Sequence, residues 1–261
     1  MDKKTISRDG TPIAYERYGD GPTVVLVGGA MCTGATLAPL AQALSDRFGA
    51  VTYDRRGRGA SGDTAPFAVD REVEDIAALI DAFGGGAALY GISSGGALAL
   101  EATASGLPVR EVAVYETPFA VDEVAAKGRA EYTERLTELL AQDRRGDAVE
   151  LFMTLVGTPP EMIAGVRMSH AWAGMEAIAP TLAYDNAAMG DSGVPRERLA
   201  AVTVPVLSIA GDGSPEWMRA AARTVAEAAP DGSYRTLAGQ THMVDPQVLA
   251  PVLAEFFGTK G

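Results

Sequence analysis

The sequence predicts an α/β protein: a doubly wound, mostly parallel sheet with a helical insertion late in the chain. Three observations carry this. Short β-branched runs alternate with longer stretches of helical apolar spacing. The run Thr23-Val24-Val25-Leu26-Val27 is apolar almost throughout, as a strand covered on both faces must be. The alternation lapses once, over residues 119–204, where helical patterns are broken by Gly157-Thr158-Pro159-Pro160, Ala179-Pro180 and Ser192-Gly193-Val194-Pro195.

In chain order, residues 11–18 read as a strand that ends in the turn Gly19-Asp20-Gly21-Pro22, and 23–27 form the next strand. A helix over 37–48 and a strand over 50–53 follow. Residues 69–83 place Val73, Ile76, Ala77 and Ile80 on one helical face, with Asp70 positioned to accept from first-turn N–H groups. Then come a strand at 87–90, a helix opening at Ser93 and a strand at 112–115. After the insertion, a strand at 205–210, a helix at 216–229, a strand at 233–237 and a helix at 247–257 complete the pattern. The reading is thus a core of residues 1–118 and 205–261, with 119–204 as a helical cap. In doubly wound sheets reactive groups gather at the carboxyl ends of the strands.

Composition narrows the function. Apolar types form 47% of 261 residues and aromatics only 7%, so one sizeable aliphatic core is expected. A net charge of −12 with scattered basic residues excludes the basic stripe that nucleic acid demands, and argues against anionic membranes. Cys32 is the single cysteine, so no intrachain disulfide forms. The start is polar and no run approaches the ~20 apolar residues of a membrane span, so a soluble, cytoplasmic protein is expected. The oligomeric state is not fixed, and a homodimer is compatible with the sequence. No cluster has metal-ligand spacing, and no metal or organic cofactor is expected.

The chemistry-bearing signal is Gly91-Ile92-Ser93-Ser94-Gly95, with a strand before it and a helix after it. A sharp strand-to-helix turn lifts the hydroxyl of Ser93 above the sheet, and side chains at 91 or 95 would clash inside that turn. The following helix aims free N–H groups at developing negative charge, which suits the N–H of Ser94 as an oxyanion donor. With Ser94 as nucleophile instead, the required glycine would be Ile92.

With this elbow the chain resembles the α/β-hydrolase family. Asp54-Arg55-Arg56-Gly57-Arg58-Gly59-Ala60-Ser61 is similar to the family's D-x-R-G-x-G-x-S loop, in which Asp54 and Arg56 would brace the turn. Gly28-Gly29-Ala30-Met31 stands at the family's oxyanion position, although Gly28 replaces the common histidine. The resemblance implies that the N–H of Ala30, or that of Met31, pairs with that of Ser94 around an oxyanion. Of the two histidines, His242 lies where the family places its general base, and His170 falls in the insertion with no assigned role.

The acid departs from the common pattern. The usual position holds Ser214, and Asp212 stands two residues early. Glu116, directly after the strand that ends at Tyr115, is the preferred acid, and Asp212 is the alternative. Lactone hydrolases of the resorcylic-macrolactone (zearalenone) type carry their acid after this strand, and Glu116-Thr117-Pro118 with the Ser-Ser-Gly elbow is similar to theirs. A methionine-rich insertion suggests a bulky hydrophobic ester or lactone substrate, with Met31, Met153 and Trp172 lining the pocket and Cys32 beside it as a small hydrophobe. The resulting expectation is a serine esterase or lactonase. A C–C bond hydrolase or lyase on the same groups, or a ligand receptor with vestigial turnover, are the rival readings.

Overall fold

The computed structural model describes residues 3–258. Its central strands are β3 (Thr23–Val27), β4 (Gly49–Tyr53), β5 (Ala87–Ile92), β6 (Val109–Tyr115) and β7 (Val206–Gly211), and nearly all their residues are buried. They belong to an eight-stranded sheet flanked by β1 (Lys3–Ile6) and β2 (Pro12–Tyr18) at one edge and β8 (Gly232–Leu237) at the other. The order is β1-β2-β4-β3-β5-β6-β7-β8, with β1 and β2 antiparallel and the rest parallel. The strand β1 was not foreseen, because its mostly exposed residues carry no apolar alternation; pairing with β2 alone makes it a strand.

The helices are α1 (Gly34–Leu44), α2 (Val69–Ala82), α3 (Ser94–Ala104), α4 (Glu123–Ala141), α5 (Arg145–Leu155), α6 (Pro160–Arg167), α7 (Trp172–Ile178), α8 (Leu182–Ala188), α9 (Arg196–Ala200), α10 (Glu216–Ala228) and α11 (Pro246–Phe256). Strand side chains alternate between two cores. Val25, Leu89 and Val114 pack towards α2, α3 and α10, while Leu26, Tyr90 and Tyr115 pack towards α1 and α11. The helix expected from residue 37 starts earlier, whereas the start expected at residue 69 holds with a different cap. The first turn of α1 opens at Gly34 because Gly34 N–H donates to Asp54 Oδ1 at 2.8 Å, a tertiary bond that periodicity does not reveal. The cap of α2 is Ala68, so Asp70 sits inside the first turn, where it complements the helix dipole and makes no capping bond.

The chain crosses over after β4 to place β5 on the other side of β3, creating the switch point of the sheet between β3 and β5. Helices α4 to α9 lie between β6 and β7, and the insertion carries its own cores. Tyr132, Leu136 and Leu182 form one, and Val149, Met153, Ile163 and Trp172 form the other. The tail of the insertion behaves differently: Met189, Leu199 and Val202 join the core beside α3 and α10, so it packs alongside the sheet. Among the described residues, no helix is long and apolar enough to cross a membrane.

Candidate active site

Ser93 stands at the carboxyl end of β5 with φ 56° and ψ −132°, immediately before α3. A Cβ at Gly91 would meet the backbone of Gly95 and Gly96, and one at Gly95 would meet the carbonyls of Val27 and Gly28. The turn therefore closes only with glycine at both places. Ser94 is the first residue of α3, so its N–H has no intrahelical acceptor. Two more residues adopt left-handed backbone at neighbouring strand ends: Met31 (φ 60°) after β3 and Glu116 (φ 46°) after β6. Such conformations cost of order 1–3 kcal/mol each and cluster where geometry serves a task.

Glu116 is fully buried. Its Oε1 accepts from Gly211 N–H at 2.8 Å, and its Oε2 lies 2.9 Å from His242 Nδ1. The histidine loop is held from below, where Tyr115 Oη donates to the Thr241 carbonyl at 2.6 Å. Ser93 and His242 line the same two cavities, and no hydrogen bond joins them in this structure. The alternative acid Asp212 is not at the imidazole. It is exposed, and its Oδ1 accepts from Gly239 N–H at 2.7 Å, fixing the turn that leads to the histidine. Ser214, in the position common to the family's acid, is buried with its hydroxyl unpaired among the described residues.

A buried charge network holds the neighbouring loops. Arg55 pairs with Glu72 through two bonds of 2.7 Å and with Asp185 Oδ1 at 2.6 Å. Arg58 donates to Asp185 Oδ2 at 2.7 Å and to the Gly29 carbonyl at 2.6 Å. Ser94 Oγ donates to Asp185 Oδ1 at 2.8 Å, so a carboxylate from α8 touches the residue after Ser93. Burial works to raise the carboxyl pKa of Asp185, but Arg58 and Arg55 outweigh it and hold it below the usual range. Asp54 braces its own loop through Gly34 and Ala60 N–H, and Arg56 does so through Asp75 and Asp9, as the sequence suggested. The network's partners Glu72 and Asp185 were missed. Three arginines within four residues of a buried loop were the available signal, since buried guanidinium groups require carboxylates.

Two cavities flank Ser93. One, of 360 Å³, lies beneath α4 and α8, and Arg129, Tyr132, Asn186 and Trp217 help to line it. The other, of 270 Å³, lies beside α1 and α11 and is lined by Cys32, Leu37, Leu40, Tyr90 and Leu249. Ala30 lines both, whereas Met31 packs into the two cores of the insertion. Three expected pocket residues are therefore corrected. Met31 is not among the residues lining either cavity and packs against the insertion's cores, and Trp172 and Met153 are each only 8% exposed inside a core of the insertion that they help to build. Trp217, at the start of α10, supplies the cavity's tryptophan instead. Cys32 does face the second cavity, and burial pushes its thiol pKa up, as befits a small neutral side chain. His170 is exposed between α6 and α7. A larger groove of 540 Å³ beside α9 is lined by neither Ser93 nor His242.

A mostly parallel sheet with a strained serine at its switch point, sharing two cavities with a histidine that is bonded to a buried carboxylate, is the arrangement of an α/β protein of the hydrolase kind. The comparisons name the family. The Alpha/beta hydrolase family matches residues 24–252, and the chain belongs to it. An alpha/beta hydrolase from Sphaerobacter thermophilus DSM 20745 is 51% identical, with a TM-score of 0.88 over 98% of this chain and 100% of that one. Two more distant structures share the fold. A thermophilic esterase from Thermogutta terrifontis is 21% identical (TM-score 0.74, 99% and 98% covered), and the enol-lactonase from Burkholderia xenovorans LB400 is 22% identical (0.70, 98% and 100%). A curated relative, polyketide synthase ThaQ of Burkholderia thailandensis, is 39% identical over 88 residues, which span 33% of this chain and 4% of the synthase. Family membership and the 51% identical alpha/beta hydrolase together support a hydrolase.

Proposed function

We propose that the chain is a serine hydrolase that cleaves a carboxylic ester or lactone through an acyl-enzyme on Ser93. The observation that carries the proposal is the bond between His242 Nδ1 and the buried Glu116, 2.9 Å, with His242 lining the cavity that Ser93 also lines. Glu116 holds the imidazole with its proton on Nδ1, leaving Nε2 free to act as base. Ser93 Oγ attacks the carbonyl carbon as Nε2 takes the hydroxyl proton. The N–H groups of Ser94 and Ala30 receive the charge that develops on the carbonyl oxygen. Collapse breaks the ester C–O bond, and the departing oxygen takes the proton from His242. Water then gives a proton to His242 and attacks the acyl carbon, and the serine oxygen leaves with that proton. Helices α4 and α8 act as the cap, roofing the reaction. The position of Glu116, its Glu116-Thr117-Pro118 context and the Ser-Ser-Gly elbow are the features in common with resorcylic lactone hydrolases, and that narrower substrate assignment rests on them.

Steady release of 4-nitrophenol from a short-chain ester, abolished in Ser93→Ala, is the expected result. Stoichiometric labelling of Ser93 without turnover would instead favour a receptor, and full activity of Ser93→Ala would end the proposal.

A further inference from the structure

Arg129 is left unused by a wholly apolar ester. It stands one turn before Tyr132 on the same face of α4, and both line the 360 Å³ cavity at Ser93. A guanidinium carries five N–H donors. Here the bond is one long contact, from Nη2 to the Pro118 carbonyl at 3.3 Å. Among the described residues no carboxylate pairs with Arg129, whereas Arg55 and Arg56 are each matched by two and Arg58 by one. The carboxylate that shares its cavity, Asp185, is already engaged by Arg55, Arg58 and Ser94. Burial pulls the pKa of Arg129 down, the direction expected of a cation withdrawn from water without a countercharge. The second cavity is different in kind: its walls are Leu37, Leu40, Ile92 and Leu249, and none of its lining residues is Asp, Glu, Lys or Arg.

We infer that Arg129 receives a carboxylate carried by the substrate, so that the site takes an ester or lactone with an anionic arm under α4 and an apolar arm beside α1. The planar fork of the side chain fits a carboxylate through two parallel bonds. The molecule's net charge of −12 repels anions at long range, so discrimination must come from this short-range contact. The identity of the reacting bond rests on the serine hydrolase proposal; the binding of the anionic arm does not.

Two matched pairs test the inference. Mono-4-nitrophenyl glutarate against 4-nitrophenyl valerate places the carboxylate on the acyl side, and 3-(butanoyloxy)propanoate against propyl butyrate places it on the alcohol side. In at least one pair the wild type should favour the anionic member by about 10- to 100-fold in kcat/KM, the worth of a charge-assisted bond. Arg129→Met should bring that ratio close to one, and Arg129→Lys should keep part of it. A wild-type ratio near one in both pairs, or a ratio that survives Arg129→Met, overturns the inference. A merely structural Arg129 would lower both members alike and leave the ratio standing. Should none of the four esters turn over, the hydrolase proposal fails, and calorimetric titration of Ser93→Ala with monomethyl glutarate decides the binding alone. Binding that is lost in Ser93→Ala/Arg129→Met upholds it, and equal affinity in the two proteins or no binding in either rejects it.

Discussion

Glu116 decides whether the imidazole can work. Its two oxygens face two donors, Gly211 N–H and His242 Nδ1–H, so both must accept. In Glu116→Gln the amide NH₂ must turn towards one of them. Facing Gly211 it sets donor against donor; facing His242 it drives the ring proton to Nε2 and removes the base. Turnover should fall about 10⁴-fold, the loss seen when a triad acid becomes its amide, while Asp212→Asn stays within a few-fold of wild type. Stopped assays on the two purified variants, with circular dichroism to check folding, make the comparison; an active Glu116→Gln beside a dead Asp212→Asn reverses the assignment. Ser93 and His242 were legible because one is fixed by a local motif and the other had a single rival, His170. Glu116 needed more, since its partner lies 126 residues away. The pocket was misread for a plain reason: Trp172 and Trp217 are equivalent in composition, and only the packing of α7 and α10 turns one inward to its own core and the other to the cavity.

Among the elements, the strands and core helices were readable because burial on both faces leaves an apolar run or a 3.6-residue stripe in the sequence. How α8 docks was not, because Asp185 reaches Arg55 and Ser94 across 130 and 91 residues. That docking carries energy as well as geometry. In Asp185→Asn, Arg55 keeps Glu72, but Arg58 keeps only the neutral oxygens of Thr181, Gly29 and Cys32 and becomes a buried cation without a countercharge. Breaking such a pair costs about 3–5 kcal/mol. For a domain of this size that corresponds to a Tm lower by roughly 10 °C. Because Arg58 also grips the Gly29 carbonyl beside Ala30, kcat should fall in the folded variant. Calorimetry showing an unchanged Tm would mean that α8 is held by its apolar contacts alone.

At the scale of the whole molecule the buried carboxylates set the response to acid. Burial lifts the carboxyl pKa of Asp75, so its charged form is a cost at neutral pH that is relieved as pH falls through its raised value. Asp9 and Asp185 work with the opposite sign. Arg56 holds Asp9 well below the usual carboxylate range, and Arg58 with Arg55 prevails over burial at Asp185. A carboxyl depressed in the folded state contributes its full stability above its unfolded pKa, about 4, and loses it as pH drops through the folded value. Protonation of surface carboxylates meanwhile relieves the self-repulsion of a chain with net charge −12. The three effects give a Tm that holds or rises slightly from pH 7 to about 4 and falls steeply below. In Asp9→Asn the fall should be shallower, since one of the depressed groups no longer titrates. Scanning calorimetry across that range is the measurement, and a Tm that declines steadily between pH 7 and 5 would mean that groups other than these carboxylates govern acid stability.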